Sequence, residues 1–511
     1  MALNNISFVL GQGGLGRPLP GEDYISALIF YTSGSLPSGY SSSNPVQQFF
    51  SVADAEAAGI LNNYDDETAA TATYLVTTAG TAGDVITFTV ADPYNGSITL
   101  GSYTVPASPT PTAANVAAGI TAAINANTST SGYTASAPSA TVTIKARPGL
   151  GLTINIGTPL SVTLSSSATL AGTLTQFSGG VGSKQAVWHY HISEYFRLQP
   201  QGNLYVGVFA VPGTYTFAEI ATVQNFSGGK VRQVGIYKDS AAFASGDITA
   251  IHNQCALLAA AHKEIIALYA ADISSVTNLS SLTDLSTLSA NYCSAVISQD
   301  GAAAGSVLYQ TYGKSITTLG ALLGAVSLAA VSESIAWPAK FNISDGTECD
   351  TIAFANGQLM TNPLLNDNLF TQLQNYRYIF LRKFVGVAGS YFNDNNTSIA
   401  TTSDYAYISD NRTIQKATRG VYSSLVPALN SPITLNNDGT IADYSAAYFQ
   451  TLAESPLTQM VRDGDLSDYS VAVNPAQNVL STSKVIITVS LLPKGTARNI
   501  VVNIGFNVTI N

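Results

Sequence analysis

The chain has 511 residues, too many for a single hydrophobic core, so two or more domains are expected. Charged residues make up 10% of it, against roughly 25% in typical soluble domains, and a surface so poor in charge is expected to be hidden in an assembly. The formal net charge of −10 argues against a nucleic-acid partner, which needs a basic footprint.

In chain order, residues 1–68 begin with a short apolar run at Ile6–Leu10, a Gly-rich segment and a second apolar run at Tyr24–Tyr31. Ser51–Leu61 has helical spacing, and Asp65-Asp66-Glu67 forms a polar boundary. Residues 69–180 carry only four charges: Asp84, Asp92, Lys145 and Arg147. Val85–Val90, Ile98–Val105, Thr141–Ala146 and Leu152–Ile156 read as strands between Gly, Pro and Asn turns. Ala113–Asn125 reads as a helix with Val116, Ile120 and Ile124 on one face. This is a β-rich module that ends at the linker Ser178-Gly179-Gly180.

Residues 181–389 alternate apolar strands (Leu204–Val211, Val231–Tyr237, Ile265–Tyr269, Ser294–Ser298) with helices (Thr216–Asn225, Ile248–Lys263). Near-continuous apolar strands separated by helices imply a sheet covered on both faces. Leu308–Ala336 reads as mostly helical, and Leu369–Asn375 as a helix before a strand at Tyr378–Phe384. Residues 390–483 form a second α/β section. Its helices, Arg412–Leu429 and Tyr444–Asp463, are expected to break at Pro427 and Pro456, with strands at Tyr405–Ile408 and Tyr469–Val473. The fold class is therefore α/β (α+β) and multidomain. The chain start lacks the basic region of a signal peptide, and the Leu319–Val331 run is too short to span a bilayer. A soluble protein made in a cytoplasm is the expectation.

Few residues suggest chemistry. Gly11-Gln12-Gly13-Gly14-Leu15-Gly16 has the dinucleotide spacing, but Arg17-Pro18-Leu19-Pro20 cannot start the helix on which a pyrophosphate rests, so a flexible hinge is expected. Gly313-Lys314-Ser315 resembles the end of a phosphate loop without its first glycine. His189 and His191 would share a face if residues 188–191 were a strand, yet no third metal ligand is evident beyond nearby Glu194. Asn393-Asp394-Asn395-Asn396 lacks the Gly and terminal Glu of a calcium loop, and Asp463, Asp465 and Asp468 read as a loop. Cys255, Cys293 and Cys349 have no metal spacing and read as buried thiols in a reducing compartment. No catalytic, cofactor or metal site is expected.

Two features remain. Arg412, Lys416 and Arg419 fall at i, i+4 and i+7 of a helix and form one basic stripe, suited to an acidic partner or simply solvated. Lys484–Asn511 reads as a terminal arm of two strands around Pro493-Lys494-Gly495. Val485, Ile487 and Val489 form one apolar row, and Ile500, Val502, Ile504, Phe506, Val508 and Ile510 another. Such an open apolar edge invites pairing, within its own sheet or with another subunit.

The order of motifs at the C-terminal end resembles that of contractile tail sheath proteins of myovirus-type phages and related injection systems. The carriers are Arg412-Thr413-Ile414-Gln415-Lys416, Arg419-Gly420-Val421-Tyr422-Ser423-Ser424-Leu425, Ile433-Thr434-Leu435-Asn436-Asn437-Asp438-Gly439 and the terminal strands. Gly83–Phe88, Ala117–Asn125 and Val142–Ala146 are similar to the β-rich module inserted in some of these proteins. The resemblance implies a mixed-sheet sheath core, an inserted β-rich outer domain at 69–180, and extended N- and C-terminal arms. It implies partners: other copies of the chain in a helical homo-oligomer, an inner tail tube that the basic stripe would face, and baseplate and tail terminator proteins. It implies a virion tail assembled in a host cytoplasm, with no cofactor, no enzymatic activity and no direct membrane insertion. Another self-assembling surface or adhesin-type protein, or an α/β enzyme with a decorating domain, are the alternatives.

Overall fold

The computed structural model describes residues 22–165, 167–238, 242–363 and 365–506. The run Ile6–Leu10, the Gly11–Gly16 hinge, Val508 and Ile510 lie outside them.

Ile25–Thr32 is the centre of the main sheet, and all eight of its residues are buried. Leu28 and Phe30 point into one apolar cluster, while Ala27, Ile29 and Tyr31 point into another. A strand buried on both faces reads as a continuous apolar run for this reason. Five parallel strands lie in the order Cys293–Val296, Ile266–Ala270, Gln233–Tyr237, Ile25–Thr32 and Asn203–Ala210; Val46–Phe49 adds antiparallel at the edge.

Helices Lys184–Leu198 and Leu319–Leu328 cover one face; Glu219–Phe226 and Ser245–Ala260 cover the other. The Leu319–Val331 run is thus explained by burial, because nine of the ten residues of helix Leu319–Leu328 are buried. Gly320 lets that helix approach Lys184–Leu198: a Cβ there would lie 2.2 Å from the His191 carbonyl oxygen. Among the described residues no helix is long and apolar enough to cross a membrane.

Residues 71–178 hold two antiparallel sheets of their own. One runs Thr134–Ser136, Thr141–Lys145, Thr71–Thr78, Ala171–Ser178; the other runs Gly96–Thr104, Val85–Asp92, Leu160–Leu164. Helix Ala113–Ala126, N-capped by Thr112, places Val116, Ile120 and Ile124 in the core of this unit with Phe88, Tyr133 and Val142. Leu152–Ile156, expected as a strand, instead contains a 3₁₀ turn at Thr153–Asn155 that buries Ile154.

The C-terminal section packs helix Ile408–Leu425 against helix Asp443–Asp463. The strands Leu466–Val473 and Ile487–Pro493 pair antiparallel as a ribbon, with Val471 opposite Val489 and Val473 opposite Ile487. The first helix ends at Leu425, just before Pro427, as expected. The second does not break at Pro456: the proline is buried inside a continuous helix, where its ring meets Gly420 of the neighbouring helix. Tyr405–Ile408, expected as a strand, instead leads into the first helix.

Candidate assembly site

The basic stripe is the first element of the site. Arg412 is 4% exposed, and its guanidinium donates to the carbonyls of Ala329 (3.1 Å) and Asp23 (3.0 Å). Lys416 Nζ lies 2.8 Å from one Asp23 carboxylate oxygen and 2.7 Å from Asp465; Arg419 Nη2 lies 2.8 Å from the other Asp23 oxygen. Burial favours the neutral form of Asp23, but Lys416 and Arg419 outweigh it and hold the carboxyl below its ordinary range. The expectation of a free docking ridge is therefore corrected. These three cations fasten the start of the described chain, and the loop before the ribbon, onto one helix. Replacing them with Glu would bury unpaired carboxylates and damage the fold.

The ribbon is the second element. Its inward row includes Leu466, Val471 and Val473, with Ile487, Val489 and Leu491 partly buried against Leu457, Met460, Val421 and neighbouring side chains. Val485, Ile487 and Val489 were expected to be offered to another subunit. In the structure Ile487 and Val489 pair with Leu466–Val473 of their own chain, and Val485 packs on the small core around Ile441 and Phe449. The outer edge of Ile487–Pro493 has no strand partner among the described residues. Beside it, between strand and helix Ile408–Leu425, runs a groove of about 860 Å³ lined by Ile414, Ala417, Val421, Val489 and Leu491.

The arm is the third element. Residues 494–506 form no helix or ladder. Ile500, Val502, Ile504 and Phe506 are 74% to 112% exposed. At the root of the arm, Arg498 Nε lies 3.2 Å from Asp394 Oδ2 and Nη2 lies 3.3 Å from Asn395 Oδ1. The guanidinium sits 3.4 Å from the centroid of the Tyr407 ring. Buried Arg377 also faces Tyr407, at 4.9 Å, and donates to the carbonyls of Thr397 and Ala406. Sequence reasoning missed this clasp. Its one signal was Arg498 itself, the last charged residue before the apolar row that begins at Ile500.

The Asn393–Asn396 segment is thus an anchor for Arg498, and the described residues hold no group of three or more His, Cys, Asp or Glu placed to bind a metal. His189 and His191 lie on helix Lys184–Leu198, not on a strand. Ser183 and Asp66 cap its N-terminus: Ser183 Oγ accepts from Ala186, and Asp66 accepts from the amides of Lys184 (2.9 Å) and Gln185 (3.0 Å). Two residues apart on a helix point to different sides. His189 meets Glu56 at 2.9 Å, whereas His191 is buried between Phe30 and Tyr237. Gly313 ends helix Ala304–Tyr312 in the left-handed conformation (φ 74°), so Gly313-Lys314-Ser315 does not open a helix toward a phosphate. The three cysteines are buried and free, and burial raises their thiol pKa values.

Residues 3–396 match the family model described as DUF2586, N-terminal domain, and residues 404–511 match DUF2586, C-terminal domain. No curated protein shows significant similarity to the chain. Among solved structures, the helical sheath of the anti-feeding prophage in its contracted state is similar at 14% identity and a TM-score of 0.43, covering 62% of this chain and 81% of that one. The sheath complex of the extracellular contractile injection system PVC aligns at 15% identity and a TM-score of 0.40, over 63% and 80% of the two chains. The sheath tail protein of Listeria innocua aligns at 10% identity and a TM-score of 0.36, over 93% and 96%.

Proposed function

The chain belongs to the DUF2586 family, and we propose that it is a structural subunit of a contractile tail sheath, polymerising helically around an inner tube. The observation that carries this reading is the exposed apolar arm beyond a two-stranded ribbon whose outer edge has no strand partner among the described residues. The order of C-terminal motifs and the low charge of the chain support it.

An arm with Ile500, Val502, Ile504 and Phe506 on one side is built for β-strand addition to a neighbouring copy. Burying each of these side chains contributes about 1.5–3 kcal/mol, and each main-chain hydrogen bond about 1 kcal/mol net. A link of that strength keeps neighbours joined while rigid bodies move. Head-to-tail links that do not close in a plane generate a helical filament. In the contractile reading, energy stored at assembly is released as copies rotate into new contacts, driving the tube through a cell envelope. The inner tube, baseplate and terminator proteins are the proposed partners, and the tail of a phage or phage-derived particle the proposed location.

The test is a truncation placed by the structure. Removing everything from Lys484 would strip Ile487–Pro493 from the chain's own ribbon. A chain ending at Lys494 keeps the ribbon and loses the arm. It is expected to remain folded and monomeric, while the full chain forms hollow tubes visible by electron microscopy. Normal tubes from the truncated chain would refute the strand link. Failure of the full chain to form tubes with its co-produced tail proteins would refute the sheath reading.

A further inference from the structure

The six residues 494–499 are long enough to turn the chain back on itself. Were the arm to run back along Ile487–Pro493, Leu491 would stand beside Val502, Val489 beside Ile504 and Ile487 beside Phe506. Directly opposed antiparallel residues point to the same face. The apolar row of the arm would then continue the inward row of the ribbon, over the groove lined by Ile414, Ala417 and Val421. A segment tethered by so short a linker has an effective concentration on the order of millimolar. Self-closure would therefore compete strongly with any neighbour.

The described arm is not closed in this way. Arg498 falls inside the would-be turn and is held at one end of the groove. Its contacts are the buried carboxylate of Asp394, the side-chain carbonyl of Asn395 and the face of Tyr407. A guanidinium can satisfy all three at once because it combines a fork of donors with a planar face. Gly495, with open space around it, and Thr496 bridge from the ribbon to this anchor and form part of the groove wall without filling it.

We propose that the Arg498 clasp prevents the chain from completing its own ribbon, so that the groove beside Ile487–Pro493 is kept for the arm of a second copy. The identity of the occupant rests on the assembly reading above; the blocking of self-closure does not. The occupant is chosen by the match between the groove and the row Ile500, Val502, Ile504 and Phe506, which is exposed in the single chain.

The experiment pairs Val489→Cys with Ile504→Cys in the full chain, at a dilution where it is monomeric. Directly opposed antiparallel residues are close enough for a disulfide. Under mild oxidation the pair is expected to stay reduced when Arg498 is present, and to form an intrachain bond, read by mass and gel mobility, with Arg498→Ala. Arg498→Lys keeps the charge but not the fork or the stack and should fall between. In the background without added cysteines, Arg498→Ala should bind neighbouring copies about tenfold more weakly, as expected when about nine-tenths of molecules are closed. An Arg498→Ala chain that crosslinks no more than its parent overturns the proposal. Crosslinking in monomers of a chain that never forms tubes would uphold the clasp and refute the sheath reading instead.

Discussion

His191 is fully buried, and neither ring nitrogen has a hydrogen-bond partner among the described residues. Its ring faces Phe30 at 6.2 Å and Tyr237 at 5.1 Å between centroids, so it serves as a flat core side chain. Burial drives its pKa down to about 3. The folded chain therefore holds a neutral imidazole, while the unfolded chain takes up a proton near the ordinary value of about 6.5. The folded-state pKa is depressed, so the stabilisation is complete above pH 6.5 and is lost as pH falls from 6.5 toward 3. Within that window each pH unit costs about 1.4 kcal/mol. His191→Phe keeps the packing and removes the proton site. It is expected to resist urea at least as well as the parent at pH 7, and to lose less stability between pH 6.5 and pH 4. Parallel stability curves for the two proteins over that range would show that His191 is not the responsible group. Asp23 shows the opposite logic: its neighbours are cations, and its value lies in joining Lys416 and Arg419 to the beginning of the described chain.

At the level of elements, the pair Ile408–Leu425 and Asp443–Asp463 is set by one close approach. A Cβ on Gly420 would lie 2.8 Å from Cβ of Pro456. In an isolated helix Gly→Ala stabilises by up to about 1 kcal/mol. Here the neighbour is a rigid proline ring in a buried contact, and overpacking costs about 1–3 kcal/mol. Gly420→Ala is therefore expected to destabilise the C-terminal section, seen as faster amide exchange in both helices, and a higher melting temperature would refute the contact. The same pair explains which elements were legible. Pro427 ends the α-helix, and the chain continues as a 3₁₀ turn that buries Ala428; Pro456 does not, because packing against Gly420 outweighs the lost hydrogen bond. The parallel strands were readable because burial on both faces leaves an unmistakable apolar run, as in Ile25–Thr32. Residues 188–191 invite a strand reading because aromatic residues favour strands locally, while capping by Ser183 and Asp66 and packing on Leu319–Leu328 make them helical. The clasp was illegible because Arg377, Asp394, Tyr407 and Arg498 meet only through the tertiary fold.

Over the whole molecule, the unit of residues 71–178 enters and leaves the α/β core at one point. Thr68 and Val181 pair as an antiparallel bridge, with amide-to-carbonyl distances of 3.0 and 2.8 Å in the two directions. The unit has its own apolar cluster, separate from the two that sandwich the main sheet. Beyond the bridge it is tied down mainly at its base: Glu67 accepts from the amides of Gly149 (2.6 Å) and Gly151 (2.7 Å), and Leu152 donates to the Thr311 carbonyl at 2.8 Å. Replacing residues 70–179 with a short Gly-Ser link would remove these few bonds and leave both core clusters intact. The cost is expected to be about 1–3 kcal/mol, from bonds worth about 1 kcal/mol each, or roughly 1–4 °C in the melting temperature of a core of this size. The ribbon, the groove and the arm lie outside the excised segment, so the shortened chain should still assemble, with less mass on each subunit. Size exclusion and thermal melting read the first outcome, and electron microscopy the second. A shortened chain that fails to fold would show that the inserted unit is part of the core; one that folds but cannot assemble would move the essential contact between copies from the ribbon to the insert.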